Sequence, residues 1–211
     1  MYKEVIDRTF TESGHRLPSK DDIKSAFILE HEWDRINTDF GLESVRAQHK
    51  YRECSLVILS DEFLVSLQKL VKKLKVKSVV ELSCGAGWFY YWMKKYNIPV
   101  VDAVDNYSWG KTFEYLPLVK KYDSPTYVKE HKEIDMFVLS WPYMDDVAVR
   151  IWNNMRKGQY LFYVGESIGN ACATDDFFLK ADKHIFQIDH DFSKNFQSFF
   201  GLHDRPVLYK K

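Results

Sequence analysis

The chain lacks an excess of either charge. Lys+Arg and Asp+Glu both number 30 in 211 residues. Dedicated nucleic-acid binders carry a basic surplus, so there is no strong duplex-DNA signal. Cysteine is scarce. Cys54, Cys84 and Cys172 form no CxxC pair, which excludes a disulfide framework and a zinc knuckle and suits a reducing compartment. No two of the seven histidines have the H-x-x-x-H spacing of a helical metal site, so no metal is expected. Met1 to Glu4 lacks the apolar core of a signal peptide, and no apolar run approaches the roughly 20 residues that span a bilayer. The expectation is a soluble, cytoplasmic protein without a membrane partner. Repeats, low-complexity tracts and Pro/Gly-rich linkers are also missing, which argues against a string of separate domains.

What is present is an ordinary globular composition, 45% hydrophobic and 28% charged, with 16% aromatics. Residues 1 to about 75 read as a helical extension. Asp21 and Asp22 suit the start of a helix running through Ile23 and Phe27 toward Ile36, and a second helix is predicted around Leu42 to Arg52. Ser60 is an N-cap, and Phe63, Leu64, Leu67, Leu70, Val71 and Leu74 share one face of the helix it starts. Lys69, Lys72, Lys73 and Lys75 read as a solvated C-terminal end. From Lys77 the pattern changes. Short apolar runs at 78–82, 98–104, 126–129, 134–140, 159–164, 184–189 and 206–209 read as strands. Helical stretches at 87–96, 111–122 and 145–155 separate several of them. This alternation predicts an α/β domain over residues 76–211, a doubly wound, mainly parallel sheet of about seven strands, with the extension packed on it.

One turn carries the chemistry. Val79-Val80-Glu81-Leu82-Ser83-Cys84-Gly85-Ala86-Gly87 joins the first strand to a helix at the carboxyl edge of the sheet, where open α/β folds bind ligands. Gly85 and Gly87 let backbone approach a ligand closely. Asp105 ends the next strand, where a carboxylate can accept two hydrogen bonds from ribose hydroxyls. The third small position of a dinucleotide fingerprint falls on the bulky Tyr90, and the carboxylate of Glu81 would repel a phosphate. A cationic ligand, an α-amino group or a sulfonium, suits Glu81 better.

At these residues the chain resembles the class I S-adenosylmethionine-dependent methyltransferases. Glu81-Leu82-Ser83-Cys84-Gly85-Ala86-Gly87 matches their E/D-x-G-x-G-x-G motif, with Ser83 in place of the first glycine. The resemblance implies S-adenosyl-L-methionine as cofactor. Glu81 would hold its methionine end, the backbone of Ser83, Cys84, Gly85 and Gly87 would line it, and Asp105 would bind the ribose, with Asn106 beside the adenosine.

The fourth strand ends Ser140-Trp141-Pro142-Tyr143, which resembles the D/N/S-P-P-Y/F/W motif of amino-methyltransferases with Trp141 in place of the first proline. That resemblance implies Ser140 as acceptor for a target amine, Tyr143 as a stacking residue and Trp141 as a second wall. Asp145 and Asp146 read as the acidic start of the next helix. Glu166, after the fifth strand, is placed where it can face a substrate. Tyr51 and Arg52 are candidates for a lid. Cys172, with no recognisable basic partner, is not read as a nucleophile. Together these readings predict a methyltransferase acting on an amine nitrogen of a small molecule, a protein or a nucleobase. The alternative is a catalytically inactive protein of the same fold that binds the cofactor or a partner.

Overall fold

The apolar runs become strands because both their faces are covered. In the computed structural model, which describes residues 1–11, 15–110, 114–167, 171–186 and 190–211, strand β1 spans Val79–Leu82 and every residue of it is buried. β2 is Val100–Asp105, β3 Val119–Lys121, β4 Met136–Ser140, β5 Tyr160–Gly165 and β6 Arg205–Lys210. Among the described residues they form one six-stranded sheet in the order β3-β2-β1-β4-β5-β6. All neighbours are parallel except β5 and β6, which pair antiparallel from Tyr160–Lys210 to Gly165–Arg205. This is a doubly wound, Rossmann-like sheet. Chain order reverses between β1 and β4, so their carboxyl ends flank the switch point at which such sheets bind ligands.

Side chains alternate along each strand and divide the core in two. Val79, Ala103, Val138 and Phe162 face helices α4 (Asp61–Lys73) and α5 (Trp88–Lys95), through Phe63, Leu67, Phe89 and Trp92. Val80, Val104, Phe137 and Leu161 face α6 (Ser124–Glu130), α7 (Val147–Asn154) and α8 (Asp175–Ala181), through Val128, Trp152 and Phe177. A third cluster joins the extension to the C-terminal segment. Val5 on α1 (Tyr2–Phe10), Ile23 on α2 (Lys20–Ala26) and Tyr51 on α3 (Asp39–Arg52) pack with Phe199 and Leu202. The Trp92 indole N–H donates to the Thr9 carbonyl at 2.6 Å. No helix among the described residues is long and apolar enough to cross a membrane.

Several predicted elements differ from the observed ones, each for a local reason. Residues 126–129 lie in helix α6, not a strand, because Asp123 caps it by accepting the Thr126 N–H at 3.0 Å and Pro125 occupies its first turn. The helix predicted over 111–122 is not formed. Residues 114–118 are irregular, Pro117 cannot donate a helical hydrogen bond, and Val119–Lys121 pair with β2 instead. Residues 111–113 of that prediction lie outside the described residues. Of the predicted seventh strand, 184–189, the described residues 184–186 show a bridge between Ile185 and Tyr209 behind a 3-10 turn at Asp182–His184. Its residues 187–189 also lie outside the described set. The first predicted helix is shorter than its pattern. A capping box at Ser19 and Asp22 starts α2, which ends at Ala26, and Trp33–Arg35 form a separate 3-10 turn. Ser60 caps α4 as expected, accepting the Phe63 N–H.

Candidate functional site

The turn after β1 is built on two carboxylates. Gly87 is the N-cap of α5 and has no side chain with which to satisfy the helix's first N–H groups. Glu81 supplies the missing acceptor from the strand. Its Oε2 accepts the Tyr90 N–H at 2.7 Å, at the positive end of the helix dipole. Position 81 alternates with Val79 toward the α4/α5 layer, so the side chain is only 1% exposed. Burial, more than the nearby negative charge of Asp105, raises its carboxyl to about 8. The second acid ties the turn to β2. Asp105 Oδ2 accepts the Gly85 N–H at 3.0 Å, and Oδ1 accepts the Tyr107 N–H at 2.7 Å.

The two glycines do different work. Gly85 has φ +54, and a Cβ there would meet nothing within 4 Å, so its face of the turn opens onto free space. Gly87 has φ +89, and a Cβ would lie 2.5 Å from the Val119 side chain. Gly87 is thus needed for packing against β3, and Gly85 is the position that leaves room for a ligand. Ser83, at the motif's first glycine, holds φ +49. Its N–H donates to the Ser124 hydroxyl at 2.9 Å, and the two hydroxyls lie 3.1 Å apart, which secures a backbone shape that side chains disfavour. Cys84 is buried beneath the turn, and burial raises its thiol well above the ordinary range.

The loop before β3 closes one flank. The Leu116 N–H donates to the Ala86 carbonyl at 3.0 Å. The Tyr107 and Tyr115 rings stack at 3.8 Å, and the Tyr115 hydroxyl donates to Asp105 Oδ1 at 3.4 Å. Asn106 is exposed and its Oδ1 accepts the Ser108 N–H at 2.9 Å in an Asx turn. None of Tyr107, Tyr115, Leu116 or Ser124 was marked by a motif. Their roles follow from the position of β3, which the pattern over 111–122 concealed.

The turn after β4 also begins in left-handed backbone. Trp141 has φ +47, and its N–H donates to the Val164 carbonyl at 2.7 Å. Its indole N–H donates to Asp204 Oδ2 at 3.0 Å, and its ring touches all three hydrophobic clusters. Asp204 also accepts from the Ser198 hydroxyl, and burial raises its carboxyl to about 6. Trp141 is therefore a bracket between the sheet and the C-terminal segment, a job no proline could do. Ser140, part-buried at the strand end, has a hydroxyl with no hydrogen-bond partner among the described residues. Tyr143 is 61% exposed and meets Trp109 edge to face at 5.6 Å, so one aromatic from the β2 loop and one from the β4 loop touch over the intervening β1 turn.

Other predicted residues lie elsewhere. Glu166 is buried, and its Oε1 accepts the His203 N–H at 2.8 Å, so it turns toward the start of β6. Tyr51 is fully buried and its hydroxyl accepts the Leu59 N–H at 3.0 Å, which makes it core and not lid. Cys172 is buried with its thiol raised to about 11, mainly by burial, as expected of an unreactive cysteine. Residues 168–170 of the loop after β5 lie outside the described set. No cluster able to hold a metal ion occurs among the described residues.

No protein-family model matches the sequence, and no curated protein matches it significantly. Solved structures do align with the fold. A methyltransferase from Geobacter sulfurreducens is 14% identical with a TM-score of 0.47, over 79% of this chain and 87% of that one. A SAM dependent methyltransferase from Archaeoglobus fulgidus is 17% identical with a TM-score of 0.39, over 72% of this chain and 95% of that one. Human N-acetylserotonin methyltransferase in complex with SAM is 12% identical with a TM-score of 0.41, over 90% of this chain and 64% of that one. Likenesses this distant concern the overall arrangement of the chain and say nothing of what it binds.

Proposed function

We propose that the chain binds S-adenosyl-L-methionine across the turn after β1 and transfers its methyl group to an amine nitrogen held at the turn after β4. The observation that carries this reading is Glu81, a carboxyl buried in an otherwise apolar face with no cation paired to it among the described residues. A group this costly to bury is explained by a cationic ligand that ionises it. Oε2 already accepts the Tyr90 N–H, which leaves Oε1 for that ligand. The open face of Gly85 provides room for the ligand, and Asp105 stands at the neighbouring strand end for a ribose. When bound, the cofactor supplies an electrophilic methyl on a sulfonium.

The chain's own residues then position the acceptor. The Ser140 hydroxyl accepts a hydrogen from the target amine and turns its lone pair toward the methyl, and Tyr143 and Trp109 flank a planar or apolar acceptor. No strong base is needed, since the methylated amine loses its proton afterwards, so positioning supplies most of the rate. The alternative, a non-catalytic protein of the same fold, draws on the Tyr115 hydroxyl, which occupies an oxygen of Asp105 that ribose would use.

A methyl-transfer screen against amine, protein and RNA acceptors tests the proposal. Ser140→Ala and Tyr143→Ala should lower turnover about 10-fold or more while cofactor affinity stays within about 2-fold. Full activity in both variants would remove the β4 turn from the mechanism.

A further inference from the structure

A polar concavity lies at the same sheet edge, beside the start of β6. It has a volume of about 520 Å³, within the range of small-molecule sites, and is lined in part by Leu29, Glu30, Ser198, His203, Asp204 and Arg205. Its walls come from opposite ends of the chain. The Glu30 N–H donates to the Ser198 carbonyl at 3.3 Å, the Phe200 N–H to the Ile28 carbonyl at 2.9 Å, and Leu29 bridges to Phe199.

The charges in this cavity are arranged unequally. Glu30 is met by two imidazoles, with His203 Nδ1 2.8 Å and His31 Nε2 3.8 Å from its carboxylate, and the first contact raises the affinity of His203 for its proton. Asp204 is buried, and its side-chain donors among the described residues, the Trp141 indole and the Ser198 hydroxyl, are neutral. Arg205 is exposed and forms no ion pair among the described residues. One buried carboxylate and one outer guanidinium therefore line a single small cavity, each without an ionic partner among the described residues. An ammonium is the group that compensates a buried carboxylate, and a planar carboxylate is the group that a guanidinium fork accepts best.

We propose that this cavity binds a small aminocarboxylate zwitterion, its ammonium end toward Asp204 and its carboxylate end toward Arg205. The binding inference stands on the cavity alone.

The test uses three probes of equal carbon length: 4-aminobutanoate, butanoate and butylamine. Each is titrated into the 15N-labelled full chain at pH 7 up to about 50 mM, and the amide signals of Leu29, Glu30, Ser198, His203 and Arg205 are followed. The zwitterion is expected to bind about 10-fold more tightly than either singly charged probe, the worth of one charge-assisted hydrogen bond. Arg205→Met, an exposed change that leaves the core intact, should reduce it to the affinity of butylamine. Asp204→Asn should reduce it to that of butanoate. Equal affinities for the three probes, no shifts at these residues, or an unchanged affinity in Arg205→Met would overturn the proposal. Asp105→Asn, which weakens the adenosyl site, should leave zwitterion binding unchanged, so failure of either site is read separately from the other.

Discussion

The turns after β1 and β4 leave adjacent parallel strands, and both begin with a side-chain-bearing residue in left-handed backbone, Ser83 at φ 49 and Trp141 at φ 47. They are held in opposite ways. The β1 turn is laced by carboxylates to main-chain N–H groups, with Glu81 serving Tyr90 and Asp105 serving Gly85 and Tyr107. Its shape is set before any ligand arrives. The β4 turn is bracketed by one long indole, with the Ser140 hydroxyl unbonded among the described residues and Tyr143 exposed against Trp109. A cradle made of backbone suits a constant cofactor, whereas exposed side chains suit a variable acceptor. Strained backbone in both places is the pattern of sites where the surrounding structure over-determines an unfavourable conformation.

Titration of Glu81 should separate the two turns most strongly. Its carboxyl is near 8 in the fold against 4.5 ordinarily, so it keeps a proton that the unfolded chain releases. Stability is fully present below pH 4.5 and falls as pH rises toward 8, at about 1.4 kcal/mol per pH unit at most. Chemical denaturation from pH 5 to 8 should show that slope in the wild type, summing to about 4 kcal/mol. In Glu81→Gln, whose amide oxygen can still accept the Tyr90 N–H, that contribution should vanish, leaving the smaller fall up to about pH 6 that buried Asp204 supplies. An equal slope in both proteins would mean that Glu81 is solvated and is not the buried support of the turn.

The next effect separates the two glycines. Gly87→Ala meets both a positive φ and Val119 and should cost about 3 kcal/mol, whereas Gly85→Ala meets only the positive φ and should cost about 1 kcal/mol. Gly85→Ala should nevertheless weaken adenosyl binding more, because its methyl enters the open face. Reversal of the stability order in thermal denaturation would contradict the packing assigned to Gly87. On the other turn, Trp141→Phe leaves Asp204 short of a donor and should cost about 2 kcal/mol at pH 8. The cost should shrink toward pH 5, where Asp204, raised to about 6, is protonated and needs the indole less. A cost independent of pH would show that the ring, not its N–H, makes the bracket.

Much of this was legible in residue order. The short apolar runs that become β1, β2, β4 and β5 alternate with helices whose apolar faces repeat every three or four residues, and both patterns are local. The spacing of Glu81, the glycines and Asp105 marks the carboxyl edge of two consecutive strands. The region from 106 to 130 was not legible. Its three-residue strand and its short, Pro-started helix carry too few positions for a period, and they are decided by pairing with β2 and by the Asp123 cap. The links from Trp141 to Asp204 and from Glu166 to His203 span 63 and 37 positions and depend on where the chain returns to the sheet, which no local pattern records. The two acids were read as ligand groups alone, and the structure adds that each first satisfies the turn's own N–H donors.

On the proposed reading, Glu81 stays buried and protonated until S-adenosylmethionine reaches it. Calorimetric titration of S-adenosylmethionine at pH 7, repeated in buffers of different ionisation enthalpy, tests this most directly. Micromolar binding is expected, with release of close to one proton in the wild type and none in Glu81→Gln, because a carboxyl near 8 must ionise to face the ligand. Binding without proton release, or no binding in a folded wild-type protein, would contradict it.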